Sequence, residues 1–330
     1  MRSLELSAHG AAALVERPEP SPAPDEVVVE ILACGLCGTD RHIFRGEYPA
    51  RLPLVMGHEF GGRIIASEAP GWAVGDLVSV DPNVSCGGCR DCLTGRVALC
   101  PDRFAFGVDV DGGLGQRLAV PSTQLARMAP DVSAHRLAFV EPLACCLRGL
   151  DLAGLHGGEA VAVLGGGVIG QLMVQLSARA GAARVTLVTR QAQRRVLALG
   201  LGATDACTPD EADDRFGRTF DVVFECAGVL DTFDQAQRLA RRGGSVILLG
   251  IPPQEARTPI SPFTLVYDEL RIQGSFLNPL TQSRAADLVS SGAVDVDPLI
   301  SRLIGLDEVP AALAEEPRVG EVKVVVDPRR

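Results

Sequence analysis

The stretch AVAVLGGGVIG, residues 160–170, limits the folds open to this chain more than any other segment. An apolar run of strand length leads into Gly165, Gly167 and Gly170, spaced G-x-G-x-x-G, and the helical stretch QLMVQLSARAG follows. In a chain with 36 glycines the triplet alone says little, but a strand before it and a helix after it give it meaning. The first glycine permits a tight turn, the second lets a pyrophosphate approach the backbone, and the third lets helix and strand pack closely. Val168 and Ile169 stand in the opening turn of that helix, whose free N–H groups and positive dipole end face the phosphates. A dinucleotide site is the expectation.

The alternation continues. RVTLVT (184–189), DVVFECAG (221–228) and SVILLG (245–250) read as strands, and FDQAQRLARRGG (233–244) reads as helical. Strands alternating with helices imply an α/β unit with a doubly wound parallel sheet. Before residue 140 the pattern is different. VVVEIL (27–32), GGRIIA (61–66), DLVSV (76–80) and QRLAV (116–120) are short strand-like runs between Gly, Pro and Asp turns, which suggests an irregular β-barrel. The 330 residues exceed one small core, so two domains are expected. One comprises 1–142 and 277–330, with the helical SRAADLVSSG (283–292) and the final strand VKVVV (322–326); the other is 143–276. PEPSPAPDE (18–26) reads as a surface connection and the acidic run PDEADD (209–214) as a solvated loop.

Residues 86–100, CGGCRDCLTGRVALC, hold four of ten cysteines that are otherwise spread along the chain, unlike the dense pattern of a small secreted scaffold. The opening MRSLELSAHG lacks the basic and apolar regions of a secretion signal. No apolar run approaches the ~18 residues of a membrane span. A reduced, cytoplasmic protein is expected, and there clustered cysteines are metal ligands rather than disulfides. Cys86, Cys89, Cys92 and Cys100 have the spacing C-x2-C-x2-C-x7-C. Four thiolates complete a tetrahedral zinc with no open position, so a lobe at 83–103 should hold a structural zinc. The net charge of −10 argues against nucleic acid and anionic membranes as partners.

A third constellation joins CGLCGTDRH (34–42) to GHEFGG (57–62). With the four-cysteine lobe and the glycine loop, in this order and at these separations, it resembles the zinc-dependent medium-chain alcohol and polyol dehydrogenases. The likeness covers essentially the whole chain. It implies a GroES-like barrel as the catalytic domain and a Rossmann domain for NAD(P). It implies a catalytic zinc on Cys37, the cysteine followed by Thr39 and His42, and leaves Cys34 as a core thiol. His58 of the GHE motif is the implied second ligand, and Glu59 beside it a conditional ligand or supporting carboxylate. VEPLACC (140–146) has the EPLA form of the polyol branch, which implies Glu141 as third ligand in place of Cys145 or Cys146. Thr39 and His42 match the proton relay, and Lys323 matches a basic phosphate contact. Asp40 is expected as a buried structural carboxylate. A thiolate, an imidazole and a carboxylate leave one position for a substrate oxygen, where the metal acts as a Lewis acid.

The resemblance thus implies an enzyme with two zinc ions per chain, assembled as a homodimer or homotetramer. It would oxidise a secondary alcohol of a polyol or sugar alcohol to a ketone by hydride transfer. Amino alcohols and aminocyclitols are the second substrate class. A catalytically inactive nucleotide-binding relative would have little reason to keep Cys37, His58 and Glu141 together. The cofactor is read at the end of the second strand, where an acidic residue about 20 positions past the glycine loop would bond the ribose 2′-hydroxyl. Thr189 stands there, followed by Arg190 and, one helical turn on, Arg194; the next acidic residue is Asp205. No carboxylate repels a 2′-phosphate and two planar guanidinium forks suit it, so NADP is the preferred cofactor and NAD the alternative.

Overall fold

The computed structural model describes all 330 residues, Met1–Arg330. The chain forms two compact units, Met1–Ala144 with Pro279–Arg330, and Cys145–Asn278.

In the first unit the strand Glu26–Leu36 is the axis of a seven-stranded sheet. It pairs antiparallel with Glu59–Ser67, Arg117–Pro121 and Lys323–Val326. Its sequence EVVVEILACGL shows almost no polar alternation because it is buried along nearly its full length. A three-stranded sheet of Ala11–Glu16, Arg2–Ala8 and Leu54–Val55 contributes to the same core, in which Leu4, Leu6, Ile31, Phe60 and Ile64 pack. These are the strands of the irregular barrel implied by the turn-punctuated sequence. The register places their ends together: Gly35 pairs with both Glu59 and Val325, and Leu36 with Val324.

The second unit is built on six parallel strands. Their order is Asp205–Cys207, Arg184–Val188, Ala160–Leu164, Phe220–Glu225, Ala240–Leu248 and Arg271–Gly274. The chain runs outward from Ala160–Leu164 on one side and resumes on the other at Phe220–Glu225. That reversal leaves a crevice at the carboxyl ends of the two central strands, where ligands of such sheets bind.

Two expectations are corrected. The acidic run 209–214 is not a loop but part of the helix Pro209–Phe216. Thr208 caps it by accepting from the Glu211 N–H, while the Glu211 carboxylate accepts from the Thr208 N–H. Pro209 at the first helical position needs no N–H partner, and Ala212 and Phe216 are buried. The helical reading of 233–244 is also too long. The helix is Leu230–Leu239, and ARRGG already belongs to the next strand. Ala240 pairs with Phe220 and Ser245 with Val222, so the four residues between bulge out. Gly243 takes a φ of +74° there, and the Arg241 guanidinium bonds Asp221 at 2.6 Å.

Thr208→Ala removes one side of this reciprocal cap. It should lower unfolding stability by about 1 kcal/mol, read as a shift in denaturant midpoint, with turnover unchanged.

Candidate functional site

Four sulfurs converge in the lobe. The donor atoms of Cys86, Cys89, Cys92 and Cys100 all lie within 4.8 Å of one another, and none of the ten cysteines of the chain is in a disulfide. Cys89 and Cys92 Sγ are 3.5 Å apart, and Cys86 and Cys92 Sγ 4.0 Å. Sulfurs at ~2.3 Å from a tetrahedral zinc would be separated by about 3.8 Å, so the spacing fits that ion. Backbone N–H groups of Gly88 and Cys89 pull the Cys86 thiol down to about 7. Cys89 moves the other way, the help of the Cys92 N–H being outweighed by burial and by the neighbouring sulfurs. Thiolates packed this closely need a cation among them.

The second donor group follows from the strand register. Cys37 succeeds the strand Glu26–Leu36 and stands at the N-cap of the helix Gly38–Arg45, while His58 precedes the strand that begins at Glu59. Antiparallel pairing of Gly35 with Glu59 lays one end beside the other. Cys37, His58 and Glu59 thereby offer donor atoms within 4.8 Å of one another. Asp40 is fully buried as expected. Its Oδ2 accepts from the Cys37 N–H at 2.8 Å, and its Oδ1 lies 3.5 Å from His58 Nδ1. Neither Asp40 Oδ1 nor His58 Nδ1 has any closer partner. Burial pushes the His58 imidazole down, but Asp40 and Cys37 outweigh it and hold the ring well above the usual histidine value. Thiol and carboxylates together call for a cation, which fits a metal. The orienting role of Asp40 was visible in the sequence as a cap-box spacing, three residues past Cys37.

Lys323 is the clearest correction. It is not open to a phosphate: it is 2% exposed, and its Nζ donates to Glu59 Oε2 and to the Leu36 carbonyl at 3.1 Å. Burial lowers its pKa, but Glu59 and Cys37 reverse the sign and raise it. Glu141 lies on the first turn of the helix Val140–Ala153, 7% exposed, and is not part of the Cys37–His58–Glu59 group. Cys34 is a fully buried core thiol, and Cys146 Sγ bonds the Ile169 carbonyl at 3.5 Å. Thr39 Oγ1 is 3.8 Å from Cys37 Sγ. His42 is exposed, its Nδ1 2.6 Å from Glu47 Oε2.

In the second unit the glycine loop has the geometry its spacing implies. Gly165 adopts a φ of +104°, and a side chain at Gly170 would overlap the Gly165 carbonyl. At Gly167 a methyl group would meet nothing within 4 Å, so the space is open to a ligand. Gly167 caps the helix Val168–Arg179 without a side-chain bond, leaving the N–H groups of the Val168–Ile169–Gly170 turn for an anion. Thr189 is buried beside this loop, Arg190 is exposed and Arg194 half-buried. A group that the sequence reading passed over is Arg195, whose guanidinium bonds the carbonyls of Thr189 and Arg190.

Comparison with known proteins places the chain in a family. The model of the alcohol dehydrogenase GroES-like domain matches residues 23–131, and that of zinc-binding dehydrogenases matches 168–291. D-altritol 5-dehydrogenase of Agrobacterium fabrum is 30% identical, over 96% of this chain and 96% of its own. L-threonine 3-dehydrogenase of Caldanaerobacter subterraneus subsp. tengcongensis is 32% identical, over 90% of each. The crystal structure of a zinc-binding dehydrogenase from Sinorhizobium meliloti 1021, bound to NADP, superposes with a TM-score of 0.96 at 44% identity, covering 99% of both chains.

Lys323→Met should strand the Glu59 carboxylate in the core and lower stability by about 3–5 kcal/mol. The double variant with Glu59→Gln should regain much of that loss in chemical denaturation, because no buried charge is then left unpaired.

Proposed function

Because the chain belongs to the zinc-dependent medium-chain dehydrogenases, in the polyol dehydrogenase branch, we propose that it oxidises a secondary alcohol of a polyol or sugar alcohol to the ketone, with NADP as hydride acceptor. The observation that carries the reading is the buried convergence of Cys37, His58 and a carboxylate. The relationship to a D-altritol dehydrogenase supports the polyol substrate. Amino alcohols are the second reading, favoured by the relationship to an L-threonine dehydrogenase.

Zinc, when bound, would polarise the substrate hydroxyl and lower its pKa. Cys37 and His58 would hold the metal, and Asp40, 3.5 Å from His58 Nδ1, would help to orient the ring. Glu141 supplies the third donor. Glu59 is the alternative, its charge already shared with Lys323. Thr39 and His42 carry the proton outward; the exposure of His42 and its contact with Glu47 support that end of the path. Cys86, Cys89, Cys92 and Cys100 would hold a second zinc, which would organise the lobe. Gly165, Gly167, Val168, Ile169 and Gly170 take the pyrophosphate. Thr189, Arg190 and Arg194 take the 2′-phosphate, a reading supported by the NADP bound to the Sinorhizobium meliloti relative.

The free thiols suit a reducing cytoplasm. No helix is long and apolar enough to cross a membrane. Assembly as a homodimer or homotetramer is supported by the edge strand Arg271–Gly274, preceded by the helix Pro262–Tyr267 with Phe263, Val266 and Tyr267 exposed.

Metal analysis should find two zinc ions per chain, and about one in active enzyme would refute the two-site reading. His58→Ala should abolish turnover with the fold intact. Glu141→Ala should lose catalytic zinc or at least ~10-fold of activity; retention of both would move the third position to Glu59. For the cofactor, catalytic efficiency should favour NADP, and Thr189→Asp should swing it toward NAD by restoring a 2′-hydroxyl partner and repelling phosphate. A clear NAD preference in the unmodified enzyme would contradict the reading.

A further inference from the structure

We propose that Arg195 sets the discrimination between NADPH and NADH by bracing the turn that receives the 2′-phosphate, without touching the phosphate itself. This rests on the reading of Thr189 and Arg190 as the 2′-phosphate site. Arg195 is then a positioning residue.

Its guanidinium is not spread into solvent. Nη1 donates to the carbonyl oxygens of Thr189 at 2.8 Å and Arg190 at 3.0 Å, spanning the turn between the strand Arg184–Val188 and the helix Ala192–Gly200. Two consequences follow from peptide geometry. The carbonyl oxygen and N–H of one trans peptide unit point in opposite directions, and the only cis bond in the chain is Leu52–Pro53. With the Thr189 and Arg190 oxygens drawn toward Arg195, the N–H groups of Arg190 and Gln191 point away from it. The turn thus offers donors on one face, while its two negative dipole ends are held against a cation on the other. A phosphate arriving on the donor face meets no carbonyl.

What lies beside that face suits an anion. The nine-residue helix Ala192–Gly200 begins at Gln191, whose side chain does not cap it, and the positive dipole end of the helix favours an anion there. Independently, Thr189 is only 9% exposed, yet its hydroxyl bonds to no group of the chain. It is aimed at the glycine loop, where a methyl group on Gly166 would come within 3.1 Å of Oγ1. A hydroxyl on a little-exposed residue, turned to the glycine loop beside a helix N-terminus, is placed to meet an anion. Gln171 secures the other side: its Nε2 donates to the carbonyls of Gly166 at 3.3 Å and Arg194 at 2.9 Å, tying glycine loop to helix. Arg195 is therefore the member that fixes the turn, and the turn is needed only when a 2′-phosphate is present. NADH, with a bare hydroxyl there, draws nothing from it.

The test is fluorescence titration of the zinc-loaded enzyme with NADPH and with NADH, for the unmodified chain, Arg195→Met and Arg195→Lys. Met keeps the length of the stem and loses every donor; Lys keeps the charge but not the planar fork. Arg195→Met should weaken NADPH at least about tenfold and NADH less than about twofold, because charge-assisted bonds hold the turn only for the phosphate. Lys should recover part of the loss. Equal losses for both cofactors would reduce Arg195 to a general structural brace and overturn the proposal; so would no loss, or full recovery by Lys, which would show that charge alone acts. Should Arg195→Met fail to fold, a smaller but NADPH-selective loss in Arg195→Lys carries the same decision. The ratio of NADPH to NADH affinity in the unmodified enzyme is read separately. A ratio at or below one would remove the 2′-phosphate reading and Arg195's part with it, whereas a high ratio that survives Arg195→Met would remove the Arg195 proposal alone.

Discussion

No side chain fits at Gly35, and the unit that carries Cys37 and His58 is arranged around that constraint. A Cβ there would overlap Glu59 Oε2 and come within 3.2 Å of the Ala138 carbonyl. The bare backbone lets Glu59 lie flat across the strand and reach Lys323, which enters from the strand on the other side. The result is a buried ion pair at the point where three strands begin or end. Taking both charges out of water is expensive, and the mutual attraction offsets this only because the remaining donor capacity of Lys323 also finds the Leu36 carbonyl. Cys37 and His58 are attached to these same strand ends. Their separation is set by backbone pairing rather than by flexible loops, which is what a metal site with a demanding geometry requires.

The cofactor unit uses missing side chains in a related way, with a different purpose at each position. Gly170 is bare so that helix and strand can touch, while Gly167 is bare without anything in the chain approaching it. The first is a packing requirement, while the second leaves the backbone at the start of the helix Val168–Arg179 uncovered. Around the second, polar groups are held by bonds made from behind: Gln171 to the loop and helix, Arg195 to the turn. Groups immobilised before the ligand arrives lose less entropy on binding, which favours affinity and selectivity together.

Much of this was legible in the chain. The glycine loop, the four-cysteine spacing and the Cys37–His58 pair are local motifs, because a metal or a phosphate demands fixed residue types at short spacing. The cap of the helix Pro209–Phe216 was also written locally, as Thr208 three residues before Glu211, and was obscured only by the charge of the run. Lys323 was not legible. A lysine at the start of VKVVV has the same local context on a surface as in a core, and its partner Glu59 is 264 residues away. Arg195 was hidden for a similar reason: beside Arg194 it reads as one more exposed cation, and only the path of the turn shows which carbonyls it meets.

Residue order alone therefore determined the division into a barrel and a parallel α/β sheet, and it pointed to the clustered metal donors and the glycine loop, since each rests on periodicity or on residues close in sequence. Folding in three dimensions decided that Glu59 lies beside Cys37 and His58, that Lys323 is buried against Glu59, and which arginine bonds the turn after the second strand. Those are questions of strand register and side-chain direction. A one-residue change in register sends a side chain to the opposite face, so spacing along the chain carries no information about the outcome.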